Sequence, residues 1–177
     1  AAFFELIFNI TNPREIYLLR HLLNFLLFFT SVFFFYKIIK NRYNSYLTGI
    51  IGAAFLVLSP RIFAQSFYNT KDIFLMSLFI INIYTAINFL ERPNIKTAII
   101  FSLISSLVID VRILGIFLPA LIFLIYIINI LRNNDFKKDK ILPLLFFLIS
   151  LPFLIILFWP YLWGDPIGNF IEVFTSL

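Results

Sequence analysis

Apolar residues run in long stretches along this chain, and polar ones gather in short clusters between them. Six apolar segments stand out: Ile16–Ile39, Tyr46–Leu58, Ile73–Leu90, Ile95–Ile109, Ile113–Leu131 and Ile141–Trp159. At about 1.5 Å of rise per residue, the first, third, fifth and sixth are long enough as helices to cross roughly 30 Å of hydrocarbon. Tyr46–Leu58 and Ile95–Ile109 span only about 20 Å each. They are therefore expected to be tilted, re-entrant or continued into the polar segments that follow. The pattern predicts an all-α fold, a polytopic transmembrane helical bundle of about six membrane segments, two of them short or broken. No soluble linker, internal repeat or low-complexity run interrupts it, so residues 1–177 read as a single transmembrane domain. Asn133–Lys140 (NNDFKKDK) is the only clearly hydrophilic loop.

Composition agrees. Hydrophobic residues make up 62% of the chain and charged ones 13%, against about 25% charged in an ordinary soluble domain. The mean hydropathy is +0.99. A soluble globular domain and a disordered chain are both excluded. The absence of cysteine excludes a disulfide scaffold and Cys-ligated metals, and the single histidine excludes a His-rich metal site. The 25 phenylalanines fit the codon bias of an AT-rich genome and are not evidence of an aromatic site. Met76 is the only methionine, and the last residues, FIEVFTSL, fall inside a helical pattern. The expectation is an internal piece of a longer protein, with a first helix and outer loop before Ala1 and a further part after Leu177.

The basic residues orient the segments. If the six alternate, one side receives Lys37, Lys40, Arg42, Arg92, Lys96, Arg132, Lys137, Lys138 and Lys140, nine of the fourteen Lys and Arg residues. The other receives Arg14, Arg20, Arg61, Lys71 and Arg112. Cytoplasmic loops are the ones enriched in Lys and Arg, so both ends are expected on the non-cytoplasmic side. Reading Ile95–Leu131 as one helix would put the NNDFKKDK loop outside, so a hinge at Asp110-Val111-Arg112 is expected. Tyr36, Tyr43 and Tyr46 then form the inner aromatic belt, and Trp159, Tyr161 and Trp163 the outer one.

Candidate chemistry gathers on the outer side, in Ser59-Pro60-Arg61, Phe67-Tyr68-Asn69-Thr70-Lys71-Asp72, Asp110-Val111-Arg112 and Trp159 to Pro166. The two short segments lead into the first and third clusters, which places Arg61, Asp110 and Arg112 within membrane depth. Ionisable groups there are expensive unless paired or in a wet cavity, and irregular backbone is tolerated only beside such a cavity. A charged, outward-opening cavity is the main functional expectation. Asp72 is either a cap of the helix starting at Ile73 or a general base or metal ligand at its mouth. Arg112 either pairs with Asp110 or grips a phosphate. Lys71 either snorkels or meets the same anion as Arg112, and Pro60 beside Arg61 marks a kink. His21 is a hydrogen-bonded helix-end residue or a cavity residue. Asp165-Pro166 is a turn and helix start or carries a rim acid. No Gly-rich phosphate loop, HExxH or nucleophile elbow is present, and the basic residues form no nucleic-acid face.

The stretch Leu58-Ser-Pro-Arg-Ile-Phe-Ala-Gln-Ser-Phe-Tyr-Asn-Thr-Lys-Asp72 before an apolar helix resembles the polyprenyl-phosphate-dependent glycosyltransferases of the GT-C superfamily. The nearest likeness is to the family-39 type, related to protein O-mannosyltransferases and the lipid A aminoarabinose transferase. Asp110-Val-Arg112-Ile-Leu-Gly115 through Leu118-Pro119, and Trp159-Pro-Tyr-Leu-Trp-Gly-Asp165-Pro166, extend the likeness over most of the chain. The resemblance implies a membrane glycosyltransferase acting at the outer face of a bacterial plasma membrane. A polyprenyl-phosphate sugar would be the donor and a hydroxyl on a protein, lipid or glycan the acceptor, with inversion at the anomeric carbon. Asp72 would be the catalytic carboxylate, or would hold a divalent ion such as Mg or Mn. Arg112, with Lys71 and Arg61, would bind the donor phosphate. Tyr68, Asn69, Asp110, Asp165 and His21 would line the cavity. The family's principal acid belongs to a loop expected before Ala1, and neither Glu5 nor Glu15 takes its place. A secondary transporter, with its broken helices and intramembrane charges, is the alternative reading. A structural subunit with charges paired between helices is the third.

Overall fold

A computed structural model of the chain describes residues 12–133 and 137–175. Glu5 and, within the NNDFKKDK loop, residues 134–136 lie outside the described residues. Among the described residues the regular structure is all helical, with no strand. They divide into two compact units, Ala1–Ile81 and Asn82–Leu177.

In the first unit α1 runs from Pro13 to Tyr43. Asn12 caps it, its side chain accepting from the Arg14 N–H at 3.1 Å, and Pro13 supplies the fixed φ suited to a first helical position. Glu15 lies in the first turn and Lys40 and Arg42 in the last, each sign matched to the helix dipole. Asn44 ends the helix in the left-handed conformation (φ 48°), which Asn tolerates. Ser45 then caps α2, Tyr46–Leu58. Gly49 lies so close to the Tyr36 ring that a Cβ would come within 2.9 Å of it. Beyond Ser59, Pro60 forbids continuation of the helix. The chain turns by 70° into α3, Pro60–Ser66. The short second segment is thus continued, after a break, by the polar cluster that follows it. Helix α4, Asp72–Glu91, completes the unit and runs on into the next.

In the second unit α5 spans Ile95–Val111. Asn94 and Thr97 start it with a reciprocal capping box, 2.9 and 3.1 Å. At Arg112 the backbone is extended (φ −154°, ψ 118°). A 3₁₀ turn, Ile113–Ile116, leads into α6, Phe117–Asn133. The hinge expected at Asp110–Arg112 is therefore present. Helix α7, Lys138–Phe158, ends in a second 3₁₀ turn, Pro160–Trp163, and α8 covers Pro166–Thr175. The core of this unit is aromatic. Phe89 stacks on Tyr126 (5.0 Å) and Phe101 on Phe147 (5.3 Å), with Ala86, Ala98, Ile122 and Ile130 around them.

Helix α5 turns small and polar residues inward. Ala98, Ser102, Ser105 and Ser106 are fully buried, which permits the close helix approach favoured in membranes. Ser105 donates to Asn82 Oδ1 (2.9 Å), and Ser150 of α7 donates to the Ser102 hydroxyl (2.8 Å).

The number of spans differs from the six expected. Four helical stretches are long and apolar enough to cross: Pro13–Tyr43, Asp72–Glu91, Ile113–Asn133 and Lys138–Phe158. The bent pair α2–α3 makes a fifth if it counts as one span. The difference is α5. Its 17 residues reach about 25 Å, less than each of the four longer stretches.

The 3₁₀ turn after Arg112 folds tightly against α5. A Cβ on Gly115 would lie 2.7 Å from Val108 Cγ1 and 3.1 Å from the Val108 backbone. Neither is the free end of a flexible side chain. Gly115→Ala is expected to cost about 1–3 kcal/mol by overpacking, read as a lower unfolding midpoint in detergent.

Candidate functional site

The cluster carrying Asp72 is built on a turn. The Asn69 side chain accepts from the backbone N–H groups of Lys71 (3.1 Å) and Asp72 (2.9 Å). This Asx-type turn satisfies donors that the start of a helix would otherwise leave orphaned. The helix begins at Asp72 itself rather than at Ile73, so Asn69 does the capping expected of Asp72. The Asp72 carboxylate is exposed in the first turn, where the dipole favours a negative charge. Its Oδ2 accepts from Asn69 Nδ2 at 3.2 Å.

Helix α1 holds this loop from behind. Asn24 is 2% exposed. Its Nδ2 donates to the carbonyls of Ser66 (2.8 Å) and Asn69 (3.3 Å). His21, one turn earlier, donates from Nδ1 to the Phe67 carbonyl, and Phe25 stacks on Phe67 at 5.0 Å. His21 is thus a hydrogen-bonded residue whose ring also meets that of Tyr17, tilted by 51° with centroids 3.9 Å apart. Tyr68, Lys71 and Arg61 are exposed. Among the described residues, the first unit brings together His21, Asn24, Asn69 and Asp72 and leaves the Arg61 guanidinium without an ion pair.

Asp110, Arg112 and Asp165 belong to the second unit. Asp110 ends α5 and Arg112 sits in its extended break, both exposed. The ion pair weighed between them does not form. The Arg112 backbone is engaged at both ends, its N–H to the Val108 carbonyl (3.0 Å) and its carbonyl to the Gly115 N–H (2.8 Å). The guanidinium is therefore presented by a fixed main chain. Asp165 caps α8, accepting from the Gly168 N–H at 3.0 Å, so its carboxylate serves the helix start. Trp163 donates from Nε1 to the Ile156 carbonyl (2.8 Å) and closes the end of α7. Tyr161 donates to Glu172 (3.0 Å), and this bond to the carboxylate holds the phenol above its usual pKa of 10.0. Beneath α8 lies an apolar cavity of about 380 Å³, lined by Ile116, Leu151, Ile155, Leu162, Phe170 and Ile171.

A divalent ion at Asp72 finds no built site among the described residues. Among the described residues no three His, Asp or Glu side chains come together, and the neighbour of Asp72 Oδ2 is an amide NH₂, a donor rather than a ligand. Among the described residues, the side chains around Asp72 do not make up a divalent-ion ligand set.

Asn24 was not among the residues singled out from the sequence. Its signal was a polar amide inside an apolar helix, one turn after His21. The inward serines of α5 were missed for the same reason, although Asn82, Ser102 and Ser105 interrupt otherwise apolar runs.

Comparison with curated proteins and with solved structures gives no match. A family model described as dolichyl-phosphate-mannose-protein mannosyltransferase matches residues 1–159, which include α1 to α7, the Asp72 turn and the Arg112 break. The chain therefore belongs to the dolichyl-phosphate-mannose-protein mannosyltransferase family, whose members are membrane glycosyltransferases.

Proposed function

We propose that the protein transfers a sugar from a polyprenyl-phosphate donor to an acceptor hydroxyl at the outer face of a bacterial plasma membrane, with inversion at the anomeric carbon. The observation that carries this reading is the family match over residues 1–159. The exposed carboxylate at the head of α4 and the exposed guanidinium in the α5 break support it. In the proposed step the acceptor oxygen attacks the anomeric carbon as the bond from that carbon to the phosphate oxygen breaks. The acceptor proton passes to the Asp72 carboxylate, acting as general base. Polyprenyl phosphate leaves with the bonding electrons. Arg112 meets the charge that develops on it, with Lys71 and Arg61 as further cations. The apolar cavity beneath α8 offers room for part of a hydrocarbon chain.

Sidedness follows from the loop charges when α5 is counted as a crossing segment, which puts both ends outside. The chain has no cysteine, so single cysteines report without background. Cysteines replacing Gln65 and Gly164 should react with an impermeant maleimide added to intact cells, and one replacing Asn134 only after lysis. Outside labelling at Asn134 would overturn the arrangement. The donor is tested by native mass spectrometry of full-length protein with a polyprenyl-phosphate mannose. One retained lipid per chain is expected, and none on folded protein would overturn the donor assignment.

A further inference from the structure

We propose that Asn24 is a positioning residue for the Asp72 carboxylate, acting through the loop backbone and Asn69. This rests on Asp72 being the base of the transfer step. A buried amide in a membrane helix is expensive unless its polar atoms are used. Asn24 spends both hydrogens on one loop, reaching the carbonyls of Ser66 and Asn69. Its Oδ1 is left buried without a partner. An apolar side chain would fill the same face and leave no orphaned oxygen, so packing alone does not account for the amide.

The contacts run in one direction. Asn24, His21 and the Phe25 ring fix the chain at Ser66, Phe67 and Asn69. Asn69, its backbone held, uses its side-chain oxygen to start α4 and its NH₂ to hold Asp72 Oδ2. Asp72 Oδ1 is then the oxygen free of protein hydrogen bonds among the described residues, and it is aimed by a chain of contacts that begins in α1. Reacting groups need this support, because a displacement near 1 Å can cost about 10²-fold in rate.

The test uses full-length protein in its native membranes, which supply the acceptor, with polyprenyl-phosphate mannose as the donor probe and release of polyprenyl phosphate as the readout. Asn24→Ala is expected to lower kcat by about tenfold or more while the donor KM stays within about twofold. In an Asp72→Asn background it should have no further effect, since it acts through that carboxylate. Asn69→Ser keeps a side-chain oxygen that can accept at the start of α4, removes the NH₂ and adds no charge beside Asp72. It is expected to unfold near the wild-type temperature and to lose kcat as Asn24→Ala does. Should Asn24→Ala fail to accumulate, Asn69→Ser decides. Unchanged kcat in Asn69→Ser, or an equal loss from Asn24→Ala with and without Asp72, would overturn the positioning role. Wild-type kcat in Asp72→Asn would overturn the base assignment itself, whatever Asn24→Ala does.

Discussion

Asp72→Asn is expected to abolish most turnover, lowering kcat by about 10²–10⁴-fold, the range for loss of a general base, while donor binding persists. The substitution keeps the shape of the side chain and removes its charge and basicity. It leaves the start of α4 in place, because Asn69 and not Asp72 caps that helix. The lost interaction with the helix dipole is worth about 0.3–1 kcal/mol, too little to unfold the protein. A variant that unfolds at the wild-type temperature, retains the lipid and turns over slowly would locate the defect in chemistry. A variant with wild-type kcat would remove Asp72 from the mechanism.

Arg112→Ala is expected to show the complementary failure, with the donor lost from the complex and turnover down by about 10²–10³-fold, as when a charge-stabilising donor is removed. The Arg112 backbone bonds to Val108 and Gly115 do not involve its side chain, so the break in α5 should survive and the unfolding temperature should hold. Arg112→Lys should recover little, because an ammonium cannot offer the planar fork that fits two phosphate oxygens. Native mass spectrometry reads lipid retention, and phosphate-lipid release reads turnover. Full retention and rate in Arg112→Ala would leave the phosphate to other cations.

The breaks in this chain were legible because each is made by local chemistry. Pro60 ends α2 on sterics alone, and Arg112 falls where the charge pattern demands a reversal. The heads of α4 and α8 were readable to within a residue, although at α4 the capping group is Asn69 rather than the acid. Helix lengths were less legible. Helix α1 reaches Pro13 and Tyr43, beyond the apolar run, because caps and end charges extend a helix past its hydrophobic centre. The grip of α1 on the Asp72 loop was not legible at all. Asn24 and its partners are 42 and 45 residues apart, and no periodicity links them. The span count differs only at α5, the segment expected to be short, whose 17 residues reach less far than the four longer stretches. The transporter alternative shares the broken helices and intramembrane charges, and family membership separates the two.

The buried serines of α5 also bear on how the chain enters the membrane. At 17 residues α5 reaches less far across hydrocarbon than the four longer stretches do, and its buried serines face neighbouring helices. Ser105 can pair with Asn82 as soon as α4 is beside it, but Ser102 meets Ser150 only once α7 has been synthesised. The final packing of α5 therefore waits on α7, and its hydrogen bonds tie together helices made before and after it.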